Sequence, residues 1–200
     1  MTKKAYILKS NNKKIIMPVR LKRRLLTVEE YHKMGEVGIL KEKGLELING
    51  EIIEIGPIGS KHAAIVEKTK DQLYKTLFGK VIIRIQNPIE TNKYSELEPD
   101  IAVVQFRSDY YVDAHPNKNE IFLIIEVADT SIEYDKEIKL PVYASSGIPE
   151  VWIMDVNKQT IEVYHSPIEK RYLNKQILRP DDIISAGFID FSIKVGDLFV

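Results

Sequence analysis

Apolar and polar positions follow two periods along this chain. "LTVEEYHKMGE" (26–36) has helical spacing, and Thr27 with Glu30 three residues on predicts a capping box at its start. "GLELINGEIIEI" (44–55) predicts a β-hairpin: Asn49-Gly50 suits a type I′ turn, and Leu45, Leu47, Ile53 and Ile55 supply alternating apolar positions. "GSKHAAIVEKTKDQLYKTLFG" (59–79) predicts an amphipathic helix capped by Ser60, with Ile65, Val66, Thr69, Leu73 and Leu77 on one face and Gly79 at its end. "KVIIRIQNPIE" (80–90) and "LEPDIAVVQF" (97–106) predict strands, the second entered through Pro99. After a polar loop, "EIFLIIEVA" (120–128) is apolar on both faces, as in a strand covered on both sides.

"SIEYDKEIKLPVYASSG" (131–147) predicts a further helix in which Asp135, Lys139 and Tyr143, four apart, share a face. Pro141 should kink it or divide it into two short pieces, and Gly147 ends it. "PEVWIMDVNKQTIEVYHS" (149–166) predicts a long hairpin, and a short strand closes the chain. The expected class is α/β, with a mixed sheet of about five or six strands.

Composition leaves this picture in place. The chain has 200 residues, 44% hydrophobic and 29% charged, which suits one domain with an appendage. No run reaches the roughly 20 apolar residues of a membrane span, and the basic start lacks the apolar stretch of a secretory signal, so a cytoplasmic protein is expected. The absence of cysteine rules out disulfides and thiolate metal sites. Net charge is zero, but residues 3–24 carry nine Lys or Arg and no acid. This divides the chain into a basic extension (1–24) and a domain (25–200). The extension reads either as a phosphate-binding arm or as a solvated tail.

The candidate chemistry starts at Glu126, a carboxylate inside "FLIIEVA". Burying it costs several kcal/mol, in rough terms, unless it is paired or binds a cation. Asp100 follows Pro99 at the entrance of the preceding strand. If the two strands pair, their backbones lie about 4.8 Å apart, and two carboxylates at that spacing suit Mg²⁺. The loop between them permits a wide hairpin or a crossover. A cation there lowers the pKa of bound water and neutralises charge on a phosphoryl oxygen. Lys139, on the following helix, is the candidate ammonium, with Lys136 as the alternative.

"ELINGEIIEI", a histidine at 62, "EPDIAVV", "IIEVADTSIEYDKEIKLPVYASSGIPEVWIMD" and the closing "VGDLF" resemble the Uma-two family of endonuclease-like proteins. That family lies within the PD-(D/E)XK, restriction-endonuclease-like superfamily, and the similarity runs from Thr27 to Phe199. The resemblance implies a restriction-endonuclease-like core. It implies that Asp100 and Glu126 are metal ligands, with the Val127 carbonyl as a further one. Glu46 matches the family's early acid and would orient a water, and His62 matches a histidine that would contact substrate. The superfamily's lysine two residues after the acid is replaced here by Ala128, and Lys139 fits a lysine moved onto the next helix. "ADTS" stands where the family usually has Ser-Pro-Ser/Thr.

The expected activity is therefore Mg²⁺-dependent hydrolysis of DNA, with Mn²⁺ as substitute. Asp100, Glu126, Glu46 and Lys139 are the catalytic set. A two-fold homodimer would suit cutting both strands. The alternative is a catalytically inactive nuclease-fold module that binds nucleic acid or protein, which neutral net charge and the missing lysine at 128 favour. His32, His115 and His165 lack metal-ligand spacing and read as surface residues. Asp135 reads as a helix-start acid, and Trp152 and Tyr143 read as core.

Overall fold

The computed structural model describes residues 5–8, 15–18 and 23–200. Most of the basic extension lies outside these residues. What is described of it is an antiparallel strand pair, β1 (Ala5–Leu8) with β2 (Ile15–Pro18), then Arg23, 2.6 Å from Glu51, and Arg24, paired with Glu30.

The capping box forms at α1 (Val28–Glu36): the Thr27 hydroxyl accepts the Glu30 amide, and the Glu30 carboxylate accepts the Thr27 amide. β3 (Leu45–Ile48) and β4 (Glu51–Glu54) make the expected hairpin, with positive φ at both Asn49 (52°) and Gly50 (79°). Gly50 is also required by space, since a Cβ there would lie 2.6 Å from the Leu25 side chain. The first arm is covered on both faces, with Glu46 and Ile48 buried along with Leu47, so simple alternation misjudged β3.

α2 (Ser60–Leu77) buries the five residues the pattern selected. Its N-cap is Gly59, whereas Ser60 is already helical and makes no capping bond. β5 (Val81–Ile85), β6 (Ile89–Asn92), β7 (Ser95–Leu97), β8 (Ile101–Gln105) and β9 (Ile121–Ala128) follow. The predicted helix over 131–147 comes in pieces: α3 (Ile132–Tyr134), a π-helical turn (Asp135–Lys139) and α4 (Leu140–Ser146). Pro141 falls in the first turn of α4, where a residue without an N–H is tolerated, and the backbone stays helical from the π-helical turn into α4. β10 (Glu150–Asp155), β11 (Thr160–Ile168), β12 (Arg171–Leu178), β13 (Ile183–Ala186), β14 (Ile189–Lys194) and a 3₁₀ turn (Val195–Leu198) complete the chain.

Six strands form the central sheet in the order β12-β11-β10-β9-β8-β5. All neighbours are antiparallel except β9 and β10, which are parallel. A parallel pair needs a crossover, and that crossover is the α3–α4 segment. A second sheet, β4-β3-β7-β6, was not foreseen, nor were β12 and β13. Two cores sandwich the central sheet. One joins Ile125, Val127 and Trp152 to α2 and β14; the other joins Ile124, Ala128 and Ile153 to α4 and the smaller sheet. Among the described residues no helix is long and apolar enough to cross a membrane.

The "GIPEVW" stretch proves architectural. Glu150 accepts the Trp152 indole N–H at 2.6 Å and the Gly187 amide at 3.0 Å, pinning the β13–β14 connection onto β10.

Candidate active site

Strand register brings the two acids together. β8 and β9 are antiparallel with Ile101 opposite Ile125, so Asp100, at the entrance of β8, falls beside Glu126 near the exit of β9. The loop between them is thus the wide hairpin. The carboxylates are cross-braced through main chain: Asp100 Oδ2 accepts the Val127 amide at 2.8 Å, and Glu126 Oε2 accepts the Asp100 amide at 3.3 Å. Asp100 Oδ1 meets His62 Nε2 at 2.8 Å, and Gln86 Nε2 donates to it at 3.4 Å.

In the strand alternation Glu126 falls between Ile124 and Ala128, facing the crossover and the smaller sheet. It is 2% exposed. Lys139 reaches it from the π-helical turn, with Nζ 3.3 Å from Glu126 Oε1 and 3.1 Å from Glu46 Oε1. The ammonium also donates to the Glu98 carbonyl at 3.4 Å. Lys136, the alternative, points elsewhere and pairs with Glu162 at 2.9 Å. A π-turn widens the helix and is common at functional sites; here both Asp135 and Lys139 are buried at its two ends.

Glu46 is buried. Its Oε1 accepts the Glu98 amide at 2.8 Å as well as Lys139, and its Oε2 accepts the Tyr134 hydroxyl at 3.1 Å. Tyr143, read as core, is fully buried, and its hydroxyl donates to Glu126 Oε1 at 2.5 Å. Asp135 is likewise no exposed helix-start acid: it is 4% exposed and accepts the Ser131 hydroxyl at 2.7 Å.

Four acids surround one ammonium, and the proton affinities reflect this. Burial pushes Glu126 up to about 8, with the charges of Asp135 and Asp100 adding to it and Lys139 and Tyr143 opposing. Asp135 is pushed up to about 6, chiefly by burial. Burial acts against the charged form of Lys139, but Glu126, Glu46, Asp135 and Asp100 together hold its pKa well above the usual lysine value. Lys139 is therefore an ammonium at every physiological pH and cannot serve as a base. For His62 burial again opposes charging, and the Asp100 hydrogen bond and charge outweigh it, so its pKa is raised.

Among the described residues no three His, Asp or Glu side chains cage an ion by themselves. Mg²⁺ does not need such a cage: it typically takes one or two carboxylates and keeps several waters. The all-oxygen donors of Asp100 and Glu126, in a site where burial and then the neighbouring acids lift Glu126 to about 8, fit that ion.

Residues 28–196 match the Uma2 family model, described as "Putative restriction endonuclease". The chain belongs to the Uma2 family. The Uma2 fold seen here is similar to the crystal structure of a protein from Anabaena variabilis described as a "putative nuclease belonging to DUF820". The two superpose with a TM-score of 0.66 at 18% identity, over 87% of this chain and 97% of that one. No curated protein gives a significant match. The chain is thus a member of a restriction-endonuclease-like family with the matching mixed α/β core.

Within this Uma2 chain, sequence reasoning assembled Asp100, Glu126, Val127, Lys139, Glu46 and His62, and the structure gathers all six. It missed the Tyr134 and Tyr143 hydroxyls, the Glu98 carbonyl and Gln86. Tyr143 carried a signal, its spacing of four from Lys139; the other three carried none. A separate open groove of about 880 Å³, lined by Thr27, His32, Glu96, Tyr111 and His115 among others, shares no residue with this site. There His32 Nε2 lies 2.8 Å from the Glu96 carboxylate, so this exposed histidine is partnered.

Proposed function

We propose that the chain is a Mg²⁺-dependent endodeoxyribonuclease, accepting Mn²⁺ in place of Mg²⁺. The observation that carries this reading is the meeting of Asp100, Glu126 and Lys139 at the ends of two paired strands, with Lys139 3.3 Å from Glu126. Asp100 and Glu126 hold the divalent ion, with the Val127 carbonyl as a further oxygen donor. When bound there, the ion would supply the charge that acidifies a water and offsets the negative charge of the pentacoordinate transition state. Lys139 adds a permanent positive charge against the non-bridging oxygens in a site with little water to screen it. Its three N–H bonds face Glu46, Glu126 and the Glu98 carbonyl; the last, at 3.4 Å, is the weakest and the first to yield to a phosphate. Both oxygens of buried Glu46 already accept hydrogen bonds, so we assign it to holding Lys139 beside Glu126 rather than to direct contact with water. His62, hydrogen-bonded to Asp100 and with its pKa raised by that carboxylate, is the residue we assign to contact with the substrate.

Supercoiled plasmid incubated with Mg²⁺ or Mn²⁺ tests this. The parent should nick it, and Asp100→Ala and Lys139→Ala should each lower the rate by about 100-fold or more. Equal nicking by all three proteins would refute the assignment. No nicking by the parent, together with no Mn²⁺ binding by calorimetry, would instead favour a nuclease-fold module that binds without cutting.

A further inference from the structure

We propose that Tyr143 is a positioning residue: its buried hydroxyl fixes which oxygen of Glu126 is left for the metal and sets the distance at which Lys139 stands. The inference rests on the nuclease reading above and goes beyond it. Glu126 Oε1 receives both the Tyr143 hydroxyl at 2.5 Å and Lys139 at 3.3 Å, whereas Oε2 receives only the Asp100 amide at 3.3 Å. The carboxylate is therefore held with Oε2 on the Asp100 main-chain amide, at the entrance of β8. Without the phenol, the Glu126 carboxylate is free to turn both oxygens onto Lys139, because an ammonium beside a buried carboxylate is its strongest partner. That turn would withdraw the oxygen the ion needs.

The same hydroxyl answers a problem posed by the sequence. A lysine carried on a crossover helix reaches the strand acid only if the helix docks at the right height. Lys139 ends the π-helical turn and Tyr143 lies one turn on, in α4. Both converge on one oxygen of β9, so the phenol ties α4 to the strand immediately beside the ammonium. The half-buried Tyr172 makes a contact of another kind, away from the acids: its hydroxyl donates to the Ile148 carbonyl. Groups that orient a metal ligand typically change metal affinity by 10–100-fold when removed.

The test compares Tyr143→Phe with Tyr172→Phe, measuring Mn²⁺ affinity by calorimetry alongside circular dichroism and urea stability. Both variants lose one hydroxyl that donates a hydrogen bond, so both should lose stability. Only Tyr143→Phe should raise the Mn²⁺ Kd, by about tenfold or more. The Glu126→Gln/Tyr143→Phe double variant, which removes the buried charge, keeps the comparison usable if the single variant folds poorly. Its Mn²⁺ Kd should match that of Glu126→Gln within about twofold, since a hydroxyl that acts through Glu126 has nothing left to orient. An unchanged Kd in Tyr143→Phe, equal loss in Tyr172→Phe, or a further loss in the double variant overturns the positioning role while leaving the nuclease reading in place. A parent that binds no Mn²⁺ overturns both.

Discussion

Replacing Glu126 with glutamine should make the metal-free protein more stable at mildly alkaline pH. Glu126 is 2% exposed, and burial raises its pKa from 4.5 to about 8. An acid whose folded pKa lies above its unfolded value binds more protons in the folded state, so stability falls as pH rises between the two values. From pH 5 to pH 8 that loss comes to about 3 kcal/mol, at about 1.4 kcal/mol per pH unit over most of the interval. Glutamine keeps the shape and remains neutral, and Lys139 keeps Glu46 as a partner at 3.1 Å. Urea denaturation with chelator present should therefore give nearly equal stabilities for parent and Glu126→Gln at pH 5. At pH 8 the variant should be ahead by about 3 kcal/mol. Asp135 and His62 also have raised values, and their contribution to the slope stays in both proteins. Mg²⁺ at 100 times its Kd should return about 2.7 kcal/mol to the parent at pH 8 and much less to the variant. Identical pH slopes in the two proteins would mean that Glu126 ionises without cost in the fold, and the case for a cation-demanding site would fail with it.

Two further outcomes follow from the charges. Glu162 lies between Lys136 and Lys175, each at 2.9 Å, and these with the Tyr164 hydroxyl outweigh burial and depress its pKa to about 2. Its contribution is present above pH 4.5 and lost as pH falls toward 2, so Glu162→Gln should lose about 1–2 kcal/mol at pH 7, after discounting for solvent screening, and nothing near pH 2; denaturation at the two pH values measures it, and no loss at pH 7 refutes it. Deleting residues 1–24 should flatten the dependence of DNA affinity on salt, by about 0.9 in the log–log slope for each phosphate the arm had neutralised; an unchanged slope in fluorescence anisotropy would make the arm a solvated tail.

Local pattern carried much of the fold. Thr27-x-x-Glu30 specified its capping box, Asn49-Gly50 its turn and the α2 stripe its buried face, because each depends on residues within one or two turns of one another. The lone acid in "FLIIEVA" and the four-residue spacing of Lys139 and Tyr143 were equally legible. Ser60 misled because a glycine one residue earlier already leads into the helix.

Tertiary structure decided the rest. That Asp100 and Glu126 lie side by side depends on β8–β9 register, and hydrophobic alternation cannot specify which strand pairs with which. Glu46 meets Tyr134 across 88 residues, and Glu126 meets Asp100 across 26. No local period spans such separations. Tyrosine makes the limit plain: its ring is apolar enough to read as core, and whether its hydroxyl finds a carboxylate depends on what the fold brings opposite it. The sequence by itself determined which side chains are acids, bases and apolar stripes. Only packing of the crossover against β9 determined that one ammonium would stand among four carboxylates, the charge imbalance that a divalent ion would relieve.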